Sequence, residues 1–275
     1  MINVELKGGA VKEFENGTTP AEIAKSIGAG LYKSVCCAKV DGDLCDLRTP
    51  LEKDCKVELL TFDNVDGQKT FWHTASHVLA QAVKRLYPNA KCAIGPAVDN
   101  GFYYDFDVEK PFSPEDLEKI KAEMKKIVKS GLELERVELS PEEAEKKLEE
   151  MNEPYKVELV KEHSDKGEHI TFYKQGEFID LCAGPHLMSV APIKAIELTA
   201  CTGAYWRGDA NNAQLCRVYG VAFPKASMLE EHLKKLEEAK LRDHNKLGRE
   251  LEYFTTVDYV GQGLPILLPK GARVV

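Results

Sequence analysis

The sequence lacks the features of a membrane-bound or secreted protein. None of its apolar runs approaches the roughly 20 residues that a membrane span needs. Its first segment, MINVELKGGAVKEF, has no basic stretch followed by an apolar core, so we expect no secretory signal. Eight cysteines in 275 residues are too few for a disulfide framework. The sequence therefore predicts a cytoplasmic protein with reduced thiols and no membrane partner.

The sequence also lacks an excess of basic residues. Its 37 Lys and Arg against 45 Asp and Glu give a formal net charge of −8. This balance argues against a protein that coats nucleic acid through bulk charge, although it allows a local basic surface. With 43% hydrophobic and 30% charged residues, the composition is that of a globular protein. A length of 275 residues predicts about two domains.

Residues 1–62 carry the pattern of a small α+β unit. Two predicted hairpins turn at Gly8-Gly9 and at Asp41-Gly42, and the strand KVELLTF closes the segment. Between the hairpins, Thr19-Pro20-Ala21-Glu22 predicts a helix start, because the threonine can cap the helix and the glutamate completes a capping box. These elements predict a sheet wrapped on one helix.

Residues 63–224 predict a larger mixed α+β domain. The polar stretch 63–70 is interpreted as a linker, and a helix over 71–86 follows it. Ser-Pro-acid-acid segments beginning at Ser113 and at Ser140 predict two further helix starts. Alternation and turn signals predict strands in HITFYK, EFIDL, IELTACTGAYW and CRVYGVAF, whereas PYKVELV is compatible with either a strand or a helix.

A charged helix is predicted over 225–247, ended by Gly248. Its apolar repeat is short for a coiled coil, so we interpret it as a connector between domains. The last segment, GQGLPILLPKGARVV, ends on apolar residues, which suggests a chain cut just inside a third domain.

Two short motifs are the strongest chemical signal. His73 and His77 stand four residues apart on a predicted helix, which places both imidazoles on one face, away from the apolar stripe. Cys182 and His186 lie in CAGPH, whose Gly and Pro indicate a loop. One thiol and three imidazoles suit tetrahedral zinc, and they equally suit a metal-free hydrolytic pocket. Sequence spacing leaves both possibilities open, and each histidine pair alone is also compatible with ordinary packed or exposed side chains.

Three further polar residues are candidates for the same site. Asp180 can orient a histidine or bind an amine, or it can be an exposed acid at a strand end. Lys156 can supply a cation to a ligand, or it can be an ordinary solvated lysine. Tyr104 is compatible with a site wall and with a core position. The remaining histidines receive no role: His163, His169, His232 and His244.

The chain resembles threonyl-tRNA synthetases of the bacterial and eukaryotic type. The segments that carry the resemblance are HTASHVLAQAVKRLYP, AIGPAVDNGFYYDF, FIDLCAGPH, GAYWRGD and RDHNKLGRELEYF. It covers all 275 residues in order. The resemblance implies a ubiquitin-like, β-grasp TGS domain over 1–62, an editing domain over 63–224, a linker helix over 225–247, and the start of a class II aminoacylation domain over 248–275.

The resemblance implies that the region edits mischarged tRNA, hydrolysing serine from tRNA(Thr), while the full-length enzyme attaches threonine with ATP. The implied catalytic residues are His73, His77, Lys156, Cys182 and His186. Asp180 and Tyr104 would contact the substrate. We expect no metal at this site, with zinc on the three histidines and the cysteine as the less favoured alternative.

The resemblance also bears on cofactors and partners. The ATP, magnesium and zinc sites of the family would lie beyond Val275, so this chain is not expected to activate threonine. Its partner would be tRNA(Thr) carrying serine. Lys84, Arg85 and Arg207 are candidate RNA contacts, and ordinary surface charge is the favoured alternative for all three. We expect a monomer here and a homodimer for the full-length enzyme. Two other functions stay open from the residues: a non-catalytic RNA-binding module, and a zinc hydrolase of small esters.

Overall fold

The computed structural model describes residues 1–257, 261 and 263–274. The chain forms two compact units, Met1–Ala226 and Ser227–Val275. Within the described residues, no helix combines the length and apolar character required to cross a membrane.

The first unit begins with the predicted β-grasp fold. Its elements are β1 (Ile2–Leu6), β2 (Val11–Phe14), α1 (Pro20–Ile27), α2 (Ala29–Ser34), β3 (Val35–Val40), β4 (Asp43–Cys45) and β5 (Cys55–Thr61). The sheet order is β2-β1-β5-β3-β4, with β1 and β5 parallel. The capping box predicted at Thr19 and Glu22 is confirmed. Ile23, Leu47 and Val57 are buried between the sheet and the helix, so the apolar face of the sheet is covered by α1.

The segment interpreted as a linker is helical, so that interpretation was wrong. Helix α3 (Val65–Leu86) begins at Val65 and runs without a break through His73 and His77. Its polar first turns were mistaken for a loop, although Asp, Gln and Lys are all compatible with a helix. Gly67 allows α3 to pack closely against the backbone of Thr61, because a Cβ atom at this position would lie 2.0 Å from the Thr61 carbonyl oxygen.

Helix α3 packs against an antiparallel sheet. The strands are β6 (Lys91–Cys92), β7 (Ala97–Val98), β8 (Gly101–Asp107), β12 (Ala195–Tyr205) and β13 (Gln214–Phe223). Their order is β12-β13-β8-β6, and β7 also pairs with β8. Trp72 of α3 donates an indole hydrogen bond of 2.8 Å to the Ala222 carbonyl of β13. Helix α4 (Pro114–Ser130) contacts α3 and β12, with the predicted cap at Ser113 and a left-handed Gly131 at its end.

A second, three-stranded sheet carries the loop of the CAGPH motif. It consists of β9 (Leu134–Glu138), β10 (Thr171–Gln175) and β11 (Phe178–Leu181), in the order β11-β10-β9. Two helices precede β10, namely α5 (Pro141–Glu150), capped by Ser140 as predicted, and α6 (Pro154–Asp165). The ambiguous segment PYKVELV is the start of α6, with Pro154 in the first turn. This arrangement points the end of β11 toward α3.

The second unit departs from the predicted single helix. It holds α7 (Ala226–Leu241), α8 (His244–Glu250), β14 (Phe254–Thr255), β15 (Ile266–Leu267) and α9 (Pro269–Ala272). The predicted helix over 225–247 is interrupted at Asp243, whose carboxylate caps α8 by accepting a 2.8 Å hydrogen bond from the Lys246 amide. Gly248 lies inside α8 and does not end it. Of the predicted domain start over 248–275, residues 258–260, 262 and 275 lie outside the described residues.

Candidate active site

Four side chains from two distant segments meet in one cluster, hereafter the His–Cys cluster. His73 and His77 come from α3, and Cys182 and His186 come from the loop after β11. Their potential ligand atoms all lie within 4.8 Å of one another. Cys182 Sγ is 3.3 Å from His73 Nε2 and 3.2 Å from His186 Nε2. The structure thus brings together the two motifs that sequence spacing singled out.

The loop that carries Cys182 and His186 is tightly shaped. The Gly184 amide donates a 3.3 Å hydrogen bond to Cys182 Sγ, which folds the loop back on the thiol. Gly184 has φ +77°, and a Cβ atom there would lie 2.2 Å from the Tyr173 hydroxyl oxygen. Both facts favour glycine at this position. The glycine of CAGPH therefore sets the loop geometry, as its presence in the motif suggested.

A hydrogen-bond chain fixes the tautomer of His186. The Thr74 hydroxyl donates its only proton to the Thr70 carbonyl, at 3.0 Å. The Thr74 oxygen can then only accept, and it lies 3.0 Å from the Leu187 amide and 3.2 Å from His186 Nδ1. When Thr74 donates to Thr70 in this way, His186 carries its proton on Nδ1 and presents the lone pair of Nε2 to Cys182.

Burial keeps two imidazoles of the cluster neutral, those of His73 and His186. It lowers the pKa of His73 to about 4, against the opposing effect of the Asp180 carboxylate. Burial, together with the neighbouring His77 and His73, holds the pKa of His186 well below its usual range. Neutral imidazoles can accept a proton from water or coordinate a metal. The cluster is therefore ready for either role at neutral pH.

A buried ion pair stands beside the imidazoles. Lys156 Nζ of α6 is 2.7 Å from Asp180 Oδ1 of β11, and each side chain is only 5% exposed. Burial lowers the pKa of Lys156, but the Asp180 carboxylate more than offsets this, so the pKa is raised and the ammonium stays charged. Burial likewise opposes ionisation of Asp180, and Lys156 and His77 overcome it to lower the pKa of this carboxyl group. The site thus combines neutral bases with one fixed cation.

Tyr104 orients the acidic partner of this ion pair. Its hydroxyl donates a 2.6 Å hydrogen bond to Asp180 Oδ2, and its side chain is fully buried. A Cβ atom at Gly95 would lie 2.1 Å from the Tyr104 ring, so Gly95 lets the ring pack against the backbone. Tyr104 orients the Asp180 carboxylate, and it does not line the cavity next to the cluster.

The cluster opens into a cavity of about 360 Å³. Lys156, Asp180 and Cys182 line its inner part, and Ile94, Pro96, Leu159 and Ile170 contribute apolar walls. His163, Glu168 and His169, to which the sequence assigned no role, also line the cavity. His163 Nδ1 lies 2.5 Å from Glu168 Oε2, and His169 Nδ1 lies 2.6 Å from Glu138 Oε1. Their charged surroundings gave no signal, because the cavity forms only when α6 and β10 pack together.

The candidate RNA contacts are engaged in ion pairs. Lys84 lies 2.8 Å from Glu153, and Arg85 contacts Glu123 and Glu177 at 3.0 and 2.6 Å. Arg207 pairs with Glu158 at 2.9 Å and with Glu162. Acidic partners therefore offset the charge of all three cations, which weakens the case for a basic patch at these positions.

The donor set of the His–Cys cluster fits a zinc ion. One thiolate and three imidazoles are a tetrahedral ligand set, with metal–ligand distances of about 2.0–2.3 Å. Nitrogen–sulfur separations of 3.2 and 3.3 Å are compatible with two ligands on one such ion. The geometry equally suits a thiol that donates a hydrogen bond to one imidazole. The residues present therefore fit a metal without requiring one.

Comparison with known proteins identifies the class. Residues 2–61 match the TGS domain, and residues 170–219 match the threonyl and alanyl tRNA synthetase second additional domain. The chain thus combines a β-grasp TGS domain with a domain associated with editing in aminoacyl-tRNA synthetases.

The full-length similarity narrows this class. The chain is 57% identical over 275 residues to a threonine–tRNA ligase of Clostridium perfringens, 57% over 274 residues to that of Clostridium tetani, and 56% over 271 residues to that of Acetivibrio thermocellus. These matches cover 98% to 100% of this chain and 42% to 43% of the relatives. The chain is thus similar over its whole length to threonine–tRNA ligases, and it spans about two fifths of the length of the curated relatives it matches.

Proposed function

We propose that residues 63–224 form an editing domain that hydrolyses the ester between serine and the terminal ribose of tRNA(Thr). One observation carries the proposal: the His–Cys cluster and the Lys156–Asp180 pair meet at one solvent-connected cavity. The match of residues 170–219 to a synthetase additional domain and the ligase names of the relatives supply the substrate class.

Threonine and serine differ by one methyl group, which explains why a second site is useful. A missing methyl group changes binding by only about 1–3 kcal/mol, or roughly 10–200-fold. A synthetic site that accepts threonine therefore cannot strongly reject the smaller serine, which keeps the hydroxyl. A hydrolytic pocket too small for the extra methyl group removes serine after attachment and spares threonine.

The residues of the cavity can divide the hydrolytic work. His73, neutral because its pKa is near 4, can accept a proton from the attacking water. The Lys156 ammonium can stabilise negative charge on the ester oxygen or on the leaving ribose. His186 Nε2 lies 3.2 Å from the Cys182 thiol, and the His77 ring packs 4.2 Å from the His186 ring, so His77 helps to fix the position of His186. Cys182 and Asp180 contact the aminoacyl group, and Tyr104 holds Asp180 in place.

The reaction as proposed here uses no metal ion. If zinc were bound, His73, His77, Cys182 and His186 would hold it, and it would supply Lewis-acid polarisation of the ester carbonyl or of water. We further propose that the chain acts in the cytoplasm, as a monomer, without ATP, and that the homodimeric full-length enzyme performs threonine attachment.

The test is deacylation of Ser-tRNA(Thr) and Thr-tRNA(Thr) by the full 275-residue chain. We expect serine to be released roughly 10–200-fold faster than threonine, since one methyl group separates them. His73→Ala combined with Cys182→Ala should abolish release, whereas Cys201→Ala, a matched substitution outside the cavity lining, should not change it. Tight tRNA binding without any release would instead indicate an RNA-binding module.

The second candidate is a zinc hydrolase of small esters, which the ligand geometry of the cluster favours. Comparing turnover of Ser-tRNA(Thr) with that of seryl-adenosine separates the two functions. Equal turnover of both substrates, lost on zinc removal, would support the small-ester hydrolase and contradict editing.

A further inference from the structure

The segment after β4 of the β-grasp fold reaches the back of the His–Cys cluster. The Arg48 guanidinium donates hydrogen bonds of 2.8 and 3.0 Å to the Leu134 carbonyl and of 2.8 Å to the Leu187 carbonyl. It also lies 3.4 Å from the His186 carbonyl, and its side chain is only 15% exposed. A cation from the first 62 residues is therefore bound to backbone carbonyls of β9 and of the loop that carries His186.

Asp46 completes this contact from the same segment. Its Oδ2 atom accepts hydrogen bonds from the His186 amide at 3.2 Å and from the Tyr173 hydroxyl at 2.8 Å. Its carboxylate also pairs with Arg48 Nη1 at 3.0 Å, and its side chain is 7% exposed. The Tyr173 ring in turn packs edge-on against the His186 imidazole, with 4.4 Å between centroids.

We propose that Asp46 and Arg48 are positioning residues for the hydrolytic site, an assignment that rests on the proposed function. Together they hold both backbone groups of His186, the amide through Asp46 and the carbonyl through Arg48. His186 Nε2 faces Cys182 Sγ at 3.2 Å, so the hold on its backbone also fixes the distance between imidazole and thiol. Neither residue lines the cavity, so both act through the loop.

The chemistry of the pair suits positioning. Arginine presents five donors in a planar fork, and here the fork engages backbone carbonyls and one carboxylate at once. A lysine carries the same charge without that planar fork. Displacement of reacting groups by about 1 Å can lower a rate by about 100-fold. The loss of the fork should therefore affect turnover more than substrate binding.

The first experiment measures kcat and KM for Ser-tRNA(Thr) with the full chain. We expect Arg48→Lys and Asp46→Asn to lower kcat at least tenfold and to change KM less than twofold. Asp54→Asn is the matched control, since Asp54 is an exposed acid of the same fold whose hydrogen bonds, within the part of the chain that the structure describes, go to Asn3. It should leave both constants within twofold. Partial recovery of Arg48→Ala by millimolar methylguanidinium would support positioning by the fork. Unchanged kcat in folded Arg48→Lys and Asp46→Asn would overturn the proposal.

The second experiment needs no turnover and separates the positioning role from the proposed function. The rate of iodoacetamide alkylation at Cys182 is measured by mass spectrometry, with Cys201 as the internal reference. We expect Arg48→Lys to shift the Cys182 rate at least threefold while Cys201 is unaffected. If Arg48→Lys fails to fold, Tyr173→Phe, which keeps the ring and removes one hydrogen bond to Asp46, takes its place. A shifted Cys182 rate in a chain that never releases serine keeps the positioning role and refutes editing. An unchanged Cys182 rate overturns the positioning role.

Discussion

Replacement of Asp180 by asparagine tests the buried ion pair directly. Asp180→Asn keeps the size of the side chain and an oxygen that can accept the Tyr104 hydrogen bond, but it removes the negative charge. Lys156 is then left buried, 5% exposed, without its counter-charge at 2.7 Å. The perturbation is therefore electrostatic rather than steric.

The expected magnitude follows from this burial. Removing one partner of a buried ion pair typically costs about 3–5 kcal/mol in free energy of unfolding, because the other charge stays desolvated. For a unit of roughly 200 residues, 1 kcal/mol shifts Tm by about 2–4 °C. Asp180→Asn should therefore lower Tm by roughly 6–20 °C.

Urea unfolding followed by tryptophan fluorescence measures this loss of stability in the unit that contains Asp180. Both tryptophans of the chain, Trp72 and Trp206, lie within Met1–Ala226. Glu135→Gln is the matched control, since Glu135 pairs with Lys174 at 3.4 Å on the surface, with the two side chains 66% and 47% exposed. An exposed pair contributes about 0–1 kcal/mol. If Asp180→Asn cost no more than Glu135→Gln, the electrostatic account of the site would be refuted.

Three further predictions follow from other contacts. Gly95→Ala should destabilise the fold by at least about 1 kcal/mol by overpacking, because its Cβ atom would lie 2.1 Å from the Tyr104 ring; an unchanged urea midpoint would contradict this packing. The Cys216 thiol, 2.9 Å away, lowers the pKa of Cys201. Alkylation of Cys201 should therefore reach half of its maximal rate at a lower pH in the unchanged chain than in Cys216→Ala; an equal midpoint in both proteins rejects the pairing. Elemental analysis should find no zinc, and one zinc per chain that is lost in Cys182→Ser would establish the metal-bound alternative.

Local signals in the sequence predicted the fold best. The helix starts predicted at Thr19, Ser113 and Ser140 are all confirmed, because each depends on a capping box whose residues lie only three positions apart. The predictions were wrong where contacts between distant segments decide the local structure. Most of the polar segment 63–70 is helical, because residues 65–70 are the first part of a helix that packs on two sheets. The predicted single helix over 225–247 is interrupted where Asp243 caps a new one.

The site, like the fold, could be predicted only where its residues lie close together in the sequence. The two motifs of the His–Cys cluster were visible because the two residues of each lie only four positions apart, whereas the separation of 109 positions between His73 and Cys182 hid their contact. Asp46 and Arg48 gave no signal at all, since Arg48 lies 138 positions before His186 in the sequence. Contacts of such range are set by how the β-grasp fold and the three-stranded sheet pack, which periodicity does not report.

The arrangement of the cluster is costly for stability and is best explained by chemistry. His77 is 2% exposed, and its Nδ1 atom has no hydrogen-bond partner among the described residues, which costs about 1–3 kcal/mol. The Lys156–Asp180 pair gives no clear gain over apolar side chains of the same size. Folds tolerate such local violations mainly at functional sites. Asp46 and Arg48 then have a clear purpose, because a cluster that does not stabilise itself must be held in place by its neighbours.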